Sequence, residues 1–248
     1  AQAQTEGSRL LAVWNEPSAG VAVTALDPAS PSRQPEPAVV ASVETGSIGE
    51  ELGFEPGDQL LSINGVRPRD LIDYRYLTVE EELTLEVRDS AGELHCVELE
   101  KDADDGLGLA FTEALFDGLR QCTNRCSFCF IDQQPPGHRD SLYLKDDDYR
   151  LSFLYGSYLT LTNLNDSDWE RIEQQRLTPL FVSVHATDPE LRSTLLENPR
   201  AGQLLEQLKW FGERNLQIHA QVVVCPGLND GDALLNTLRD LSRFAGDD

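Results

Sequence analysis

The sequence contains no methionine, even at position 1, and only 20 of its 248 residues are Lys or Arg. The missing start residue leads us to expect a piece of a longer protein. A mature N-terminus exposed by signal cleavage is the alternative, but no charged and hydrophobic signal segment supports it. No apolar run approaches the roughly 18 residues that a transmembrane helix needs. A membrane-spanning helix is therefore excluded.

Basic residues are scarce, whereas acidic residues are abundant. The 43 Asp and Glu residues produce a formal net charge of −23 and a pI near 4.4. Such a surface repels phosphate backbones and anionic lipid head groups, so we expect no nucleic-acid backbone and no membrane among the partners. Hydrophobic residues make up 40% of the chain, which is enough for a folded core.

Cysteine is also scarce, and the five residues are too few and too clustered for a disulfide scaffold. Cys122, Cys126 and Cys129 are spaced by three residues and then by two. The chance expectation for this pattern is roughly 0.002 per chain, which indicates a functional motif. Structural zinc and a fully ligated [4Fe–4S] cubane each need four ligands. Three cysteines therefore predict either a fourth ligand elsewhere or an open coordination position.

Positive charge is concentrated around these cysteines. The segment 120–139 holds one acid, Asp132, besides His138 and three arginines: Arg120, Arg125 and Arg139. A locally positive segment suits an anionic metal centre and a ligand that carries a carboxylate. Zinc held by three thiolates is anionic as well, so the charge alone leaves the metal open.

Composition divides the chain into three parts. Residues 1–37 are rich in Pro and Ser and predict a tail or linker, with one short strand between Leu10 and Val23. Residues 38–102 show strand-like alternation with turn signals, and residues 103–248 alternate strands with helices. The apolar strand 180–184 is typical of a parallel α/β sheet, whose functional edge lies at the carboxyl ends of its strands.

The pattern after residue 103 predicts individual elements. We expect strands at 158–162, 180–184 and 218–224. We also expect a helix capped by Ser167, a helix capped by Asp188, an apolar helical stripe at 204–211, and a last helix at 233–244.

Residues 38–102 resemble a PDZ domain of the bacterial type, a small β-rich domain. The motifs that carry this resemblance are Ser47 with a capping-box Glu50, Gly53, Pro56-Gly57-Asp58 and the hairpin signal Asn64-Gly65. The resemblance implies a peptide or protein partner that adds a strand at a sheet edge. No glycine-rich carboxylate loop precedes the first strand, so a structural cap is the simpler interpretation.

The cysteine loop, Cys122-Thr123-Asn124-Arg125-Cys126-Ser127-Phe128-Cys129, matches the signature of radical SAM enzymes. In that family three cysteines hold a [4Fe–4S] cluster, and S-adenosylmethionine binds the fourth iron. One electron, from a donor of the flavodoxin or ferredoxin type, then cleaves S-adenosylmethionine to a 5′-deoxyadenosyl radical. The resemblance implies a partial TIM-like (β/α) barrel, metal ligands at Cys122, Cys126 and Cys129, and a cytoplasmic location.

Two more segments narrow the resemblance. Together with the PDZ-like start, residues 128–133 and 145–153 look like the PDZ–radical SAM proteins familiar from cyanobacteria, which are grouped with iron–sulfur oxidoreductases. Members of that group continue with more barrel strands and another domain. We therefore expect the chain to correspond to their N-terminal half. The substrate does not follow from the resemblance.

Five residues are candidates for cofactor binding. Phe128 matches the aromatic that lies near the adenine in the family. Thr162 and Asn163 stand where many members carry Gly-Gly-Glu for the methionine amine. Ser183 and His185 end the third strand of the expected barrel, on the rim where barrel active sites gather. Loop packing by Phe128 and a hydrogen bond from His185 to a backbone carbonyl are the structural alternatives.

Two other function classes stay open. In an iron–sulfur or zinc scaffold, Cys225 or His138 would complete the metal site while the PDZ-like domain recruits partners. A plain peptide-binding module would leave the cysteine spacing unexplained. Asp146, Asp147 and Asp148 suggest a cation site, although a solvated turn is the simpler interpretation.

Overall fold

The structure is a computed structural model that describes residues 13–15 and 37–244. The chain forms two compact units, Ala1–Gly118 and Leu119–Asp248. Most of the predicted tail at 1–37 lies outside the described residues. Within it, residues 13–15 form the short strand expected between Leu10 and Val23.

The first unit contains a six-stranded sheet in which neighbouring strands are antiparallel. Its strands are β1 (Val13–Asn15), β2 (Ala38–Val43), β3 (Gln59–Ile63), β4 (Glu82–Arg88), β5 (Leu94–Glu100) and β6 (Leu109–Phe111), in the order β1-β5-β4-β3-β2-β6. Two short helices, α1 (Ile48–Glu51) and α2 (Leu71–Leu77), accompany the sheet. Alternate side chains of β4, Leu83, Leu85 and Val87, are buried in the core, as the period-two pattern predicts.

Strand β6 explains why the first unit extends past residue 102. The sequence assigned residues 103–118 to the second domain, but β6 pairs with β2 and Leu109 is buried in the first unit's core. Backbone pairing between distant segments decides this boundary. It leaves no mark in the local sequence pattern.

The cap and turn signals in the sequence of the first unit predicted some of its local structure correctly. Ser47 caps α1, as predicted, because its Oγ accepts the Glu50 N–H at 3.3 Å, but the Glu50 carboxylate accepts from Gly46 N–H at 2.6 Å rather than from Ser47. Asn64 and Gly65 form a tight turn with φ of 49° and 75°. Val66 pairs with Ile63 across this turn in one isolated bridge rather than in a regular strand. Helix α2, capped by Asp70, was not predicted.

Gly108 is a position where the fold requires glycine. Its φ is +72°, and an added Cβ would clash with Ser47 Cβ and Oγ. We expect Gly108→Ala to lower the free energy of unfolding by about 3 kcal/mol, since a left-handed conformation costs about 1–2 kcal/mol and overpacking adds a similar amount. Gly106→Ala is the matched control, because a Cβ there meets nothing within 4 Å. Urea unfolding measures both variants, and equal stabilities would contradict the argument.

The second unit contains a three-stranded parallel sheet in the order β7-β8-β9. Its strands are β7 (Tyr158–Leu159), β8 (Leu180–Ser183) and β9 (Ile218–Gln221). Its helices are α3 (Tyr149–Tyr155), α4 (Asp166–Gln174), α5 (Pro189–Leu196), α6 (Leu204–Glu213) and α7 (Gly231–Ser242), with 3-10 turns at Asp140–Tyr143 and Pro199–Gln203. The mixed α/β class is confirmed. In the part of the chain that the structure describes, no sheet closes into a barrel.

Several elements of the second unit differ from their predicted bounds. Strand β7 is shorter than 158–162, and the backbone turns left-handed at Leu161, where φ is 61°. Strand β9 ends at Gln221 rather than at residue 224. The prediction of Ser167 as the cap of α4 was wrong. Asn165 caps that helix, because its Oδ1 accepts the Asp168 N–H while the Asp168 carboxylate accepts the Asn165 N–H.

Other helix predictions are confirmed. Asp188 caps α5, and Pro189 occupies the first helical position. Leu204, Leu208 and Phe211 of α6 are buried, as expected for a core-facing stripe. Among the described residues, no helix has the length and apolar character needed to cross a membrane.

Candidate functional site

Backbone hydrogen bonds hold the cysteine loop against other parts of the second unit. The Cys122 N–H donates to Lys145 O at 2.7 Å, and the Arg125 N–H donates to Leu196 O at 3.0 Å, at the end of α5. The Cys129 N–H donates to Cys126 O at 3.0 Å, which closes a turn between the last two cysteines. The loop therefore has a defined conformation in the structure. All three cysteines are free and partly exposed.

The three thiols influence one another. Burial, together with the charges of Cys122 and Cys129, raises the pKa of Cys126 to about 11. Burial also raises the pKa of Cys122, with Asp147 as the next cause. Thiols with raised pKa values become thiolates when a metal displaces their protons. The donor set therefore fits a cationic metal centre.

A separate group of candidate metal ligands lies in the first unit. Asp89, Glu93 and His95 offer three ligand atoms that all lie within 4.8 Å of one another, and His95 already pairs with Asp89 at 2.9 Å. The three thiols of the cysteine loop are one ligand short of a structural zinc site, whereas they match a [4Fe–4S] cluster that keeps one position open.

Lys145 adds positive charge beside these thiols. Its Nζ donates to Asp132 Oδ2 at 2.7 Å and to Asn124 O at 3.2 Å. Burial by itself would lower the Lys145 pKa, but the Asp132 hydrogen bond and the nearby Cys129 thiolate raise it overall. Lys145 was not among the predicted site residues, and it lies more than fifteen positions after the third cysteine.

The predicted arginines contribute less than their number suggested. Arg120 pairs with Asp168 through two bonds of 2.5 and 2.7 Å, so its guanidinium is already neutralised. Arg125 and Arg139 are exposed. The positive charge nearest the sulfurs therefore includes Lys145, which the sequence did not single out.

Thr162 and Asn163 meet the cysteine loop at the end of β7. The Thr162 hydroxyl is buried and lies 3.1 Å from Asn124 Oδ1. Asn163 Nδ2 donates to Asp147 O at 2.8 Å, whereas its Oδ1 is buried and has no hydrogen-bond partner among the described residues. A buried acceptor without a partner costs about 1–3 kcal/mol. Asn163 Oδ1 is therefore suited to accept a hydrogen bond from a bound amine.

His185 also lies beside the cysteine loop. Its ring meets the Phe128 ring edge to face, with centroids 4.8 Å apart, and its backbone has a φ of 62°. The Val223 N–H donates to Nδ1 at 3.2 Å, so the proton of the neutral ring resides on Nε2. The expected carbonyl partner is thus replaced by a backbone N–H. Phe128 packs against the buried cluster that includes Leu195, so it contributes to packing as well.

The buried His185 ring makes stability depend on pH. Burial, with the Arg192 charge as a second cause, lowers the His185 pKa to about 4. Between pH 6.5 and about 4 the unfolded chain binds this proton and the folded chain does not. The free energy of unfolding should therefore fall by about 3 kcal/mol as the pH decreases through this window.

Substitution of His185 tests that source of pH dependence. His185→Gln should flatten the change in unfolding free energy between pH 4.5 and 7, measured by urea titration. His219→Gln is the control, because the His219 ring is exposed. Equal pH dependence in His185→Gln and the unmodified chain would refute the assignment.

Ser183 is the last residue of β8, and its backbone makes the contact that the structure shows. It is largely buried, and its carbonyl accepts from Arg192 Nη2 at 2.7 Å. The contacts shown for the two candidate fourth metal ligands are with residues other than the three cysteines. Cys225 Sγ lies 4.0 Å from Val223 O, and the exposed His138 donates its backbone N–H to the Tyr143 hydroxyl at 3.0 Å.

The interpretation of the Asp146–Asp148 run as a solvated turn was wrong for two of its members. Asp147 and Asp148 are each 1% exposed. Asp147 accepts from the Thr160 N–H and hydroxyl, both at 2.6 Å, and Asp148 caps α3 while pairing with Arg150 at 2.7 Å. Both carboxylates therefore have protein partners.

Aromatic side chains of the first unit lie beside β6, the edge strand at which a peptide would add. A glycine-rich stretch, Gly106-Leu107-Gly108, does occur, but it comes directly before β6 and so after the other strands. The Leu109 backbone hydrogen-bonds the Tyr74 hydroxyl, whose pKa burial raises to about 12. The Phe111 ring meets both Tyr74 and Phe116, and Phe116 is buried.

Comparison with known families agrees with this geometry. The model of the radical SAM-like domain matches residues 101–247, more than half of the chain, and the model of the PDZ domain matches residues 39–89. No curated protein matches the chain. The fold and site define a two-part protein, a PDZ domain followed by a radical SAM-like domain. The chain belongs to the radical SAM family.

Proposed function

We propose that the second unit is part of a radical SAM enzyme. Cys122, Cys126 and Cys129 would bind three irons of a [4Fe–4S] cluster, and S-adenosylmethionine would occupy the fourth. When bound, this pair supplies a 5′-deoxyadenosyl radical after one-electron reduction. The observation that carries the proposal is a set of three mutually interacting thiols inside a segment that matches the family.

Asn163 provides the clearest fit for the sulfonium cofactor. Its buried, unpartnered Oδ1 can accept from the methionine amine, in place of the Gly-Gly-Glu found in many members. Thr162 is less suited to that contact, because its hydroxyl already lies within hydrogen-bond distance of Asn124 Oδ1 and Thr160 Oγ1. We therefore infer that Asn163 orients the amine and that Thr162 supports the loop.

We propose that His185 and Phe128 form the side of the cofactor site next to Asn163. The neutral His185 ring offers its Nε2–H as a donor, since Nδ1 is held by Val223. Its left-handed backbone is of the kind that concentrates at functional sites. Ser183 is proposed to act through its backbone, because its carbonyl holds Arg192.

Several features of the complete enzyme remain proposals. The open sheet β7-β8-β9 would be the first part of a partial TIM-like barrel. An electron donor of the flavodoxin or ferredoxin type would supply the reducing electron, and an oxygen-labile cluster suits the reducing cytoplasm. The reaction class would be that of an iron–sulfur oxidoreductase.

Anaerobic reconstitution of the chain tests the proposal. We expect about four irons and four sulfides per chain, and 5′-deoxyadenosine after dithionite and S-adenosylmethionine are added. Because catalysis can require more of the protein, an S-adenosylmethionine-dependent change in the electron paramagnetic resonance spectrum of the reduced cluster is the second readout. One tightly held zinc that resists exchange for iron would instead support the scaffold.

We infer that the PDZ domain acts as a structural cap rather than as a peptide receptor at β6. The Tyr74 hydroxyl hydrogen-bonds the Leu109 backbone, and the Phe111 ring of β6 packs against Tyr74 and the buried Phe116. Immobilised peptides with free C-terminal carboxylates should therefore not retain the chain. Specific retention of one such peptide would favour recruitment of partners.

A further inference from the structure

The Asn124 side chain lies between the first two cysteine ligands and is 2% exposed. Its Nδ2 donates to Thr160 Oγ1 at 2.8 Å and to Cys122 Sγ at 3.3 Å. Its Oδ1 accepts from Asn198 Nδ2 at 2.7 Å and from the Thr162 hydroxyl at 3.1 Å. Both amide hydrogens and both oxygen lone pairs are thus in use.

These four partners belong to separate parts of the second unit. Thr160 and Thr162 follow β7, Asn198 follows α5, and Cys122 is in the loop itself. Lys145 adds a fifth bond, because its Nζ donates to the Asn124 carbonyl at 3.2 Å. Rotation of the amide would break several buried bonds at once, so the Asn124 side chain is fixed in one orientation.

An N–H directed at a cysteine sulfur has a chemical consequence. When the cysteine ligates iron, the donor offsets part of the negative charge on sulfur. Reduction adds another negative charge to the centre, so a donor to sulfur favours the reduced form and raises the reduction potential. Asn124 Nδ2 is the side-chain donor that the structure places on Cys122 Sγ.

We propose that Asn124 is the positioning residue of the cysteine loop. Its oxygen and one N–H hold the loop in the metal-binding conformation, and its second N–H donates to the Cys122 sulfur and raises the potential of the cluster. This inference rests on the proposed function, because it assigns Cys122 as a cluster ligand. It adds a residue that is neither a metal ligand nor a contact of the sulfonium cofactor.

Two variants separate the roles of the amide. Asn124→Asp keeps the side-chain shape but replaces the donor to Cys122 with an oxygen and adds a negative charge, so both changes should lower the reduction potential of the reconstituted cluster while it retains its iron. Asn124→Ala removes all four side-chain bonds and should also reduce iron content. Asn198→Ala is the matched control, since it removes one bond to Oδ1 and leaves the N–H on sulfur. Its potential should equal that of the unmodified chain.

Potentials are measured by redox titration followed by electron paramagnetic resonance. Hydrogen exchange on the metal-free chain supplies a readout that needs no iron. The Cys122 and Arg125 amides should exchange at least about fivefold faster in Asn124→Ala, because even one lost bond of about 1 kcal/mol corresponds to a factor of about five. If Asn124→Ala does not fold, the Asn124→Asp potential still decides the donor role.

The outcomes separate this inference from the proposed function. A cluster with unchanged potential in Asn124→Asp would overturn the donor role while leaving the radical SAM assignment intact. Unchanged exchange in Asn124→Ala would overturn the positioning role. Failure of the unmodified chain to bind iron and sulfide would overturn the proposed function and the donor role, and faster exchange would then still support positioning.

Discussion

Cys126→Ala is expected to abolish retention of the iron–sulfur cluster. Cys126 is the central thiol of the motif, and its pKa responds to the charges of both Cys122 and Cys129. A cubane with one external position already open has no spare protein ligand, so loss of one thiolate leaves two. The measurement is iron and sulfide content after anaerobic reconstitution and desalting.

Cys225→Ser and Cys96→Ser are the controls for that result. Both residues are partly exposed free cysteines, as Cys126 is. Cys96 belongs to β5 of the first unit and Cys225 follows β9, so neither is part of the three-cysteine loop. Each control should retain the iron content of the unmodified chain. Full iron in Cys126→Ala would remove that ligand from the assignment, and iron loss in Cys225→Ser would indicate a closed site with four protein ligands.

Arg192→Met is expected to cause the largest loss of stability. Arg192 is 0% exposed, and its guanidinium donates to four backbone carbonyls at 2.7–2.9 Å: Thr160, Ser183, Val184 and Ala201. Methionine fills much of the volume but removes the donor from each carbonyl, and of the four only Val184 O has a second donor among the loop contacts of the described residues, the Ala186 N–H at 2.7 Å. Each such acceptor costs about 1–3 kcal/mol, so we expect a loss of about 4 kcal/mol or more in unfolding free energy.

Two other substitutions provide the comparison for Arg192→Met. Arg192→Lys should be intermediate, because an ammonium has three donors and lacks the planar geometry of guanidinium. Arg200→Ala is the matched control, since Arg200 is exposed and belongs to the adjacent 3-10 turn. Urea unfolding of the full chain measures all three. A loss below about 1 kcal/mol in Arg192→Met would show that water replaces the guanidinium.

The cysteine motif could be predicted because its chemistry is local. Cys122, Cys126 and Cys129 lie within eight consecutive residues, so the chain itself limits how far their sulfur atoms can separate. The caps at Ser47 and Asp188 were predictable for the same reason, since a cap bonds to a backbone N–H only a few residues away. Family membership follows from these short-range patterns and is confirmed by the comparison with family models.

The residues that hold the candidate site in its conformation could not be predicted from such local patterns. Asn124 and Arg192 look like ordinary polar residues in the sequence, and the Asp146–Asp148 run looks like a hydrated turn. Their roles depend on partners tens of residues distant, such as Thr160, which bonds to both Asn124 and Arg192. Burial of these groups results from the packing of several elements together, which a local pattern does not contain.

The sequence by itself determined the three-cysteine motif, the two-part organisation and the α/β character of the second part. Only the tertiary structure decided that β6 belongs to the first unit, that Tyr74 bonds to the Leu109 backbone, and that Asn163 has an acceptor without a partner among the described residues. The physical reason is the range of the interactions. Caps, turns and ligand spacing act over a few residues, whereas strand pairing, burial and polar satisfaction depend on which distant segments meet.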